Sequence, residues 1–186
     1  MSDPETTRRF ERLVLPHLDA AYNLARWLTR NPADADDVVQ EAALRAFKYL
    51  PGLRGDDARA WLLTIVRQTC YTWLRNNRPK TEVHGLDDDA FDHALAEAGD
   101  AGDNPETLVS RIEDKALVNR LIAGLPVPLR EVIVLRELEE LAYRDIADIC
   151  AVPIGTVMSR LARARVRLRA GLAELGEAAP PSRGQP

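Results

Sequence analysis

The sequence is poor in aromatic residues, glycine and cysteine, and it contains no long hydrophobic run. Aromatic residues make up 5% of the 186 residues, glycine occurs 10 times and cysteine twice. Sparse glycine and the absence of strand-like alternation argue against a β-sandwich or barrel, so we expect an all-α protein. No segment approaches the roughly 20 apolar residues of a membrane span, and no apolar signal-peptide segment follows the N-terminus. We therefore expect a cytoplasmic protein without membrane contact of its own.

The few cysteines and histidines predict neither a metal site nor a catalytic centre. Cys70 and Cys150 lie far apart on predicted apolar helix faces, which indicates reduced core residues. The acidic run Asp87–Asp89 lies near His84 and His93, but nothing there fixes a ligand geometry, so an acidic tether is the favoured interpretation. No phosphate-binding loop and no nucleophile paired with histidine occurs. The sequence thus predicts no metal, no cofactor and no enzymatic activity.

Charge is strongly segregated along the chain, although the net charge is only −4. Residues 81–106 contain many acids and no lysine or arginine, which predicts a flexible acidic linker. On either side, apolar residues recur with helical spacing, so we expect helical domains over residues 1–80 and 107–175. Residues 176–186 are rich in proline and small residues, and they are predicted to form a disordered tail.

The first predicted domain begins with a helical segment over residues 5–30 that Pro16 should bend or divide. Asn31-Pro32 should end it, and Asp34 or a nearby residue should cap the next helix, residues 34–48. The buried stripe of this helix is predicted to be Ala35, Val38, Val39, Ala42 and Ala46. The opposite face is predicted to carry Asp37, Gln40, Glu41 and Leu44. An outward leucine among acids suggests a surface for a partner, the alternative being one stray exposed leucine.

The third predicted helix of this domain, residues 58–77, follows a loop over residues 50–57 and should be capped by Asp56 or Asp57. Its outer face is predicted to carry Trp61, Thr64, Gln68, Tyr71, Thr72 and Arg75. Basic residues of this helix and just beyond it occur without any acid among them: Arg59, Arg67, Arg75, Arg78 and Lys80. Interleaved aromatic and basic groups suit an opened nucleic-acid strand. The alternative is that Trp61 and Tyr71 are partly buried residues at the rim of the core.

The second predicted domain contains a helix over residues 107–124, a break at residues 125–128, a helix over residues 129–138 and a helix-turn-helix. The first helix-turn-helix segment is expected to bury Ala142, Ile146, Ala147 and Cys150, and Pro153 ends it. The second segment should bury Val157, Leu161, Ala164 and Leu168. Its outward side is predicted to carry Ser159, Ala162 and Arg163, flanked by Thr156, Arg160 and Arg167. Small residues and acid-free arginines there suit a major groove, the alternative being an ordinary helical hairpin with a solvated basic face.

Over about residues 8–172 the chain resembles the extracytoplasmic-function (ECF) sigma factors of the sigma-70 family. Residues 34–41 are similar to the polymerase-docking helix of that family. Arg54-Gly-Asp, Ala60-Trp-Leu and Arg75 are similar to its −10 promoter region. Leu125-Pro, Arg130-Glu-Val and residues 142–147 lead into residues 155–165, which resemble its −35 recognition helix. Each motif is weak or moderate alone, but together they occur in the order and at the separations of the family.

The resemblance implies a transcription initiation factor that binds the clamp and flap of core RNA polymerase. Docking would use Asp37, Gln40, Glu41 and Leu44; −35 recognition in double-stranded DNA would use Thr156, Met158, Ser159, Arg160, Arg163 and Arg167. Recognition and melting at −10, on single-stranded DNA, would use Arg54, Trp61, Gln68, Tyr71 and Arg75. The resemblance also implies an anti-sigma partner and a monomeric free chain. Trp61-Leu62 replaces the paired tryptophans of housekeeping members, which implies few, closely matched promoters.

Two other classes of protein must be distinguished from a sigma factor. A stand-alone helix-turn-helix regulator would need a dimerisation element or an effector domain, and the sequence shows neither. A polymerase-binding adaptor that never reads DNA is disfavoured by the acid-free arginine run in the predicted recognition helix.

Overall fold

The computed structural model describes residues 4–55, 57–77 and 115–177, and no β-strand occurs within these ranges. The predicted all-α fold is confirmed. The α-helices are α1 Pro4–Leu13, α2 Leu18–Thr29, α3 Pro32–Tyr49, α4 Ala58–Asn77, α5 Lys115–Gly124, α6 Val127–Ile133, α7 Tyr143–Cys150 and α8 Ile154–Glu177. The predicted acidic linker, the start of the helix predicted from residue 107, and most of the predicted tail lie outside the described residues.

Proline and asparagine divide the N-terminal helices as local chemistry requires. Pro16 lies in a short 3₁₀ turn, Leu15–His17, that separates α1 from α2, so the predicted bend is confirmed. The side chain of Asn31 then accepts hydrogen bonds from the N–H groups of Ala33 (2.8 Å) and Asp34 (3.4 Å). The cap of α3 is therefore Asn31 and not Asp34, because the helix begins earlier than predicted, at Pro32.

The core of the first domain, residues 4–77, lies between α2, α3 and α4. Leucine and alanine fill it, with Leu24, Leu28 and Leu62 fully buried. The boundaries predicted for α4 are confirmed, and Asp57 accepts a hydrogen bond from the N–H of Ala60 at 3.2 Å. The buried stripe of α3 is confirmed for its alanines and Val38, whereas Val39 is only partly buried.

The second domain, residues 115–177, packs α8 against α5, α6 and α7. Gly171 of α8 lets Leu121 approach closely, since an added Cβ would lie 2.6 Å from its Cδ2. The helix predicted over residues 129–138 is interrupted: α6 ends at Ile133 and a π-helical turn, Val134–Leu138, follows. The N–H of Glu139 donates to the carbonyl of Val134 at 3.0 Å, and this wider turn carries the chain toward α7.

The helix-turn-helix consists of α7, a turn over residues 151–153, and α8. Ala151 adopts a left-handed conformation with φ of 56° and ends α7. The predicted inner stripe of α8 is confirmed, because Val157, Leu161, Ala164 and Leu168 are all buried. The prediction that Ala142 is buried is wrong: it is exposed at the cap of α7, and Ile149 is buried in its place.

Candidate nucleic-acid interface

The predicted docking face of α3 is exposed in the structure. Asp37, Gln40 and Glu41 are all exposed, and Leu44 keeps 69% of its surface accessible. Glu41 pairs with Arg45 one turn along the helix at 2.8 Å. An exposed leucine of this kind adds nothing to the core, so it is available to a partner.

A groove joins this face to α4. It has a volume of about 620 Å³. Its lining brings together the docking face and a residue predicted for −10 recognition: Glu41, Leu44, Arg45, Lys48, Tyr49, Ile65 and Gln68. Gln68 is exposed there. The residues predicted for polymerase docking and for −10 recognition thus line adjacent sides of one groove.

The remaining residues predicted for −10 recognition are arranged around α4 and the loop that precedes it. Arg54 and Arg75 are exposed, whereas Trp61 is partly buried and packs against the core. The loop is held from α1, because Arg9 donates to the carbonyl of Leu53 at 2.8 Å. Sequence reasoning missed this role of Arg9, since an arginine on the first helix gives no local sign of a partner so far along the chain.

Tyr71 does not lie on the outer face of α4 as predicted. Its hydroxyl donates to Glu131 of the second domain at 2.8 Å, and the guanidinium of Arg67 lies 4.3 Å from its ring centroid. Burial, followed by the charge of Glu131, raises the pKa of the Tyr71 hydroxyl well above its ordinary value. The alternative interpretation, in which Trp61 and Tyr71 are partly buried, is confirmed.

The outward side of α8 is largely as predicted. Met158 is 53% exposed and Arg167 is exposed, while Thr156, Ser159 and Arg163 are partly exposed. Ser159 donates its hydroxyl to the carbonyl of Thr156 at 3.0 Å, which holds its side chain against the start of the helix. This side of α8 can approach a DNA groove without moving any core residue.

Arg160 is the exception, and its predicted exposed place beside the outward side of α8 is wrong. Its side chain is fully buried and lies 3.6 Å from the carboxylate of Glu131 on α6. The cause is geometric: Arg160 follows Val157 by three positions and precedes Ala164 by four, so it shares the buried stripe. Its charge is neutralised inside the domain and does not face solvent.

Glu131 is the centre of a cluster that sequence reasoning missed. It is fully buried, and it accepts hydrogen bonds from Arg67 Nε at 2.8 Å and Arg67 Nη2 at 3.2 Å, besides those from Tyr71 and the ion pair with Arg160. Burial opposes the charge of Arg67, but Glu131 outweighs it, and the pKa of the guanidinium is raised. The available signal was the pair Arg130-Glu131 within residues 127–135, where every other residue is apolar.

A second carboxylate makes a parallel contact between the domains. Glu139, which is mostly buried, accepts from Arg59 Nη2 at 2.8 Å and also from the amide of Asn23. Arg59 donates to the backbone carbonyl of Glu139 as well, at 2.9 Å. We call the contacts of Asn23, Arg59, Arg67 and Tyr71 with Glu131 and Glu139 the interdomain interface.

Within the described ranges, no group of three or more potential metal ligands comes together, and no helix is both long and apolar enough to cross a membrane. The run Asp87–Asp89 lies outside those ranges. The described surfaces of this chain are a helix-turn-helix with a basic outward side, the exposed Arg54, Gln68 and Arg75 of α4 and its preceding loop, and an acidic docking face on α3. These features define a two-domain, DNA-binding transcription protein.

Comparison with known proteins agrees with this class. Residues 13–80 match the Sigma-70 region 2 family and residues 115–168 match the Sigma-70 region 4 family. The chain is 38% identical over 164 residues to the RNA polymerase sigma-H factor of Pseudomonas aeruginosa, covering 85% of this chain and 83% of that protein. It is 41% identical over 138 residues to the ECF RNA polymerase sigma-E factor of Escherichia coli K12, covering 71% and 70% respectively.

A solved structure is also similar. The sigma factor RpoE of Bartonella quintana, in complex with the anti-sigma factor NepR, superposes with a TM-score of 0.64 at 28% identity, covering 88% of this chain and 96% of that one. The chain belongs to the ECF sigma factors of the sigma-70 family. It is therefore a transcription initiation factor that binds core RNA polymerase and directs it to promoters, and the resemblance drawn from the sequence is confirmed.

Proposed function

We propose that the outward side of α8 reads the −35 element and that α4 with its preceding loop reads and melts the −10 element. The observation that carries the first assignment is the exposure of Met158, Ser159 and Arg163 along one side of the second helix of a helix-turn-helix. Arginine there offers forked donors to guanine edges and phosphates. Thr156 and Arg167 flank this side, whereas Arg160 acts from inside by holding α8 against α6.

The −10 assignment is supported by the groove beside Gln68. An amide can both donate to and accept from an unpaired base, and the groove provides space beside it. Arg54 and Arg75 are exposed near this region and can contact the strand backbone, and Trp61 can support the edge of the opened duplex. The polymerase clamp would meet Leu44 and its acidic neighbours on the other side of the groove.

An anti-sigma partner and a cytoplasmic location complete the proposal. The RpoE structure is a complex with an anti-sigma factor, and this chain exposes apolar side chains such as Leu44 and Tyr49 that a masking partner could cover. The domain division is residues 1–80, a linker over 81–106 and residues 107–175. The chain carries out no reaction itself, since polymerase supplies the chemistry.

The decisive experiment is in-vitro transcription with core polymerase, with and without the chain, followed by sequencing of the transcript starts. We expect new starts that share −35 and −10 elements at a constant spacing. Leu44→Asp should abolish them, whereas the control Asp19→Asn, at an exposed position of α2, should not. No new starts with the wild-type chain would contradict the proposal. Tight, sequence-specific binding by the isolated chain would favour a stand-alone regulator.

A further inference from the structure

The interdomain interface covers part of the surface that a sigma factor needs for DNA. Arg59, Arg67 and Tyr71 lie along one side of α4, and each of them meets a carboxylate of the second domain. These are the groups, two guanidinium ions and a phenol, that bind a nucleic-acid strand through its phosphates and bases. The carboxylates of Glu131 and Glu139 therefore accept hydrogen bonds from these side chains in the way that phosphates of a DNA strand would.

We propose that Glu131 and Glu139 act as an internal substitute for DNA, which holds the two domains closed and keeps Arg59 and Arg67 from single-stranded promoter DNA. Arg67 is thus a further DNA-contacting residue, hidden in the closed chain. This inference rests on the proposed function, because it assumes that α4 binds the −10 strand.

The geometry favours competition over an incidental contact. Arg67 binds Glu131 through both Nε and Nη2, an arrangement that it would also use with a phosphate. Its side chain is only 11% exposed, so a strand cannot reach it while the interface is closed. The outward side of α8 is different, because α8 packs on α5, α6 and α7 within its own domain and stays accessible.

The second domain remains folded when the interface opens, because Glu131 also has a partner inside that domain. Glu131 keeps its ion pair with Arg160 inside the second domain after Arg67 and Tyr71 depart. Glu139 loses Arg59 and Asn23, and their departure uncovers its carboxylate to water. Opening therefore exchanges two intramolecular ion pairs for two phosphate contacts, a change that polymerase docking can drive by holding the domains apart.

The first test is a charge exchange across the exposed end of the interface. Arg59→Glu or Glu139→Lys alone places like charges together, and each should increase the radius of gyration of the free chain in small-angle X-ray scattering. The double variant restores an opposite pair and should return the radius to the wild-type value. Unchanged radii in both single variants, or an expanded double variant, would overturn the closed interface.

The second test measures binding of a fluorescent, mixed-sequence single-stranded oligonucleotide by anisotropy at several salt concentrations. Each freed arginine should steepen the slope of log K against log salt by about 0.7 and raise affinity about fivefold at 0.1 M salt. Glu139→Lys should steepen the slope and raise the affinity more than the matched control Asp36→Lys does. That control makes the same change of charge on the exposed side of α3. Adding Arg67→Ala to Glu139→Lys should remove about one phosphate contact while the chain stays expanded.

Two results would contradict the role of the carboxylates. Equal affinity of Glu139→Lys and Asp36→Lys for the oligonucleotide would show that the added positive charge alone raises binding. An unchanged slope of log K against log salt on adding Arg67→Ala would show that Arg67 does not contact DNA. Promoter-specific transcription by the wild-type chain with core polymerase is measured in parallel. If it is present, either result overturns this inference alone; if it is absent, the proposed function fails as well.

Discussion

Arg160→Met is the substitution that best separates a structural arginine from a DNA-reading one. It removes the partner of Glu131 within the second domain while keeping a long side chain in the buried site. Breaking one side of a buried ion pair costs about 3–5 kcal/mol. We expect the lower end, about 3 kcal/mol, because Glu131 still accepts hydrogen bonds from Arg67 and Tyr71 when the domains are closed.

The assay is thermal unfolding of the full chain followed by far-UV circular dichroism. For a domain of this size 1 kcal/mol shifts Tm by roughly 4–8 °C, so the transition of the second domain should fall by roughly 12–24 °C. Arg163→Ala, on the outward side of the same helix, should change the free energy of unfolding by no more than about 0.5 kcal/mol.

A second variant identifies the cause of the loss. Adding Glu131→Gln to Arg160→Met removes the buried negative charge, so it should recover part of the lost stability. A normal Tm for Arg160→Met together with lost −35 recognition would refute the reasoning and return Arg160 to the DNA-binding surface.

The other predictions concern single sites. Arg163→Ala should weaken recognition at one −35 position by about 1–3 kcal/mol; equal loss on every −35 sequence in a promoter library would show a phosphate contact only. Gln68→Ala should change preference within the −10 element and leave −35 preference intact in the same library. Leu44→Asp should abolish polymerase binding in a pull-down while the circular dichroism spectrum stays near normal, and unfolding would place Leu44 in the core. Burial raises the pKa of Cys70 from 9.0 to about 12, so its contribution to stability is complete below pH 9 and is lost as pH rises toward 12. Urea unfolding across that range should show a shallower decline for Cys70→Ala than for wild type.

The sequence was sufficient for those features that depend on neighbours along the chain. The boundaries of α4, the bend at Pro16 and the buried stripe of α8 all follow from helical spacing and from turn residues. The spacing of Arg160 also predicts burial, whereas its charge alone favours exposure. Periodicity was the better guide there, because a buried carboxylate was available to accept the charge.

The interdomain interface could not be predicted in the same way. Arg67 and Glu131 are 64 positions apart, and nothing near either residue identifies the other. Helix α4 has two buried sides, one toward α2 and α3 and the other toward the second domain, so its apolar and polar positions do not divide into a simple inner and outer face. Tyr71 was misplaced for this reason.

The burial of Arg160 also separates what can vary in α8 from what cannot. Met158, Ser159 and Arg163 face outward, so, on the proposed assignment of this side to the −35 element, substitutions there change promoter preference without disturbing the fold. Arg160 is tied to Glu131, and through it to Arg67 and Tyr71, so a change at any one of these positions alters the cost of changes at the others. Descendants of this chain can therefore acquire new promoters through single substitutions on the outward side, while the buried cluster can change only through coordinated replacement.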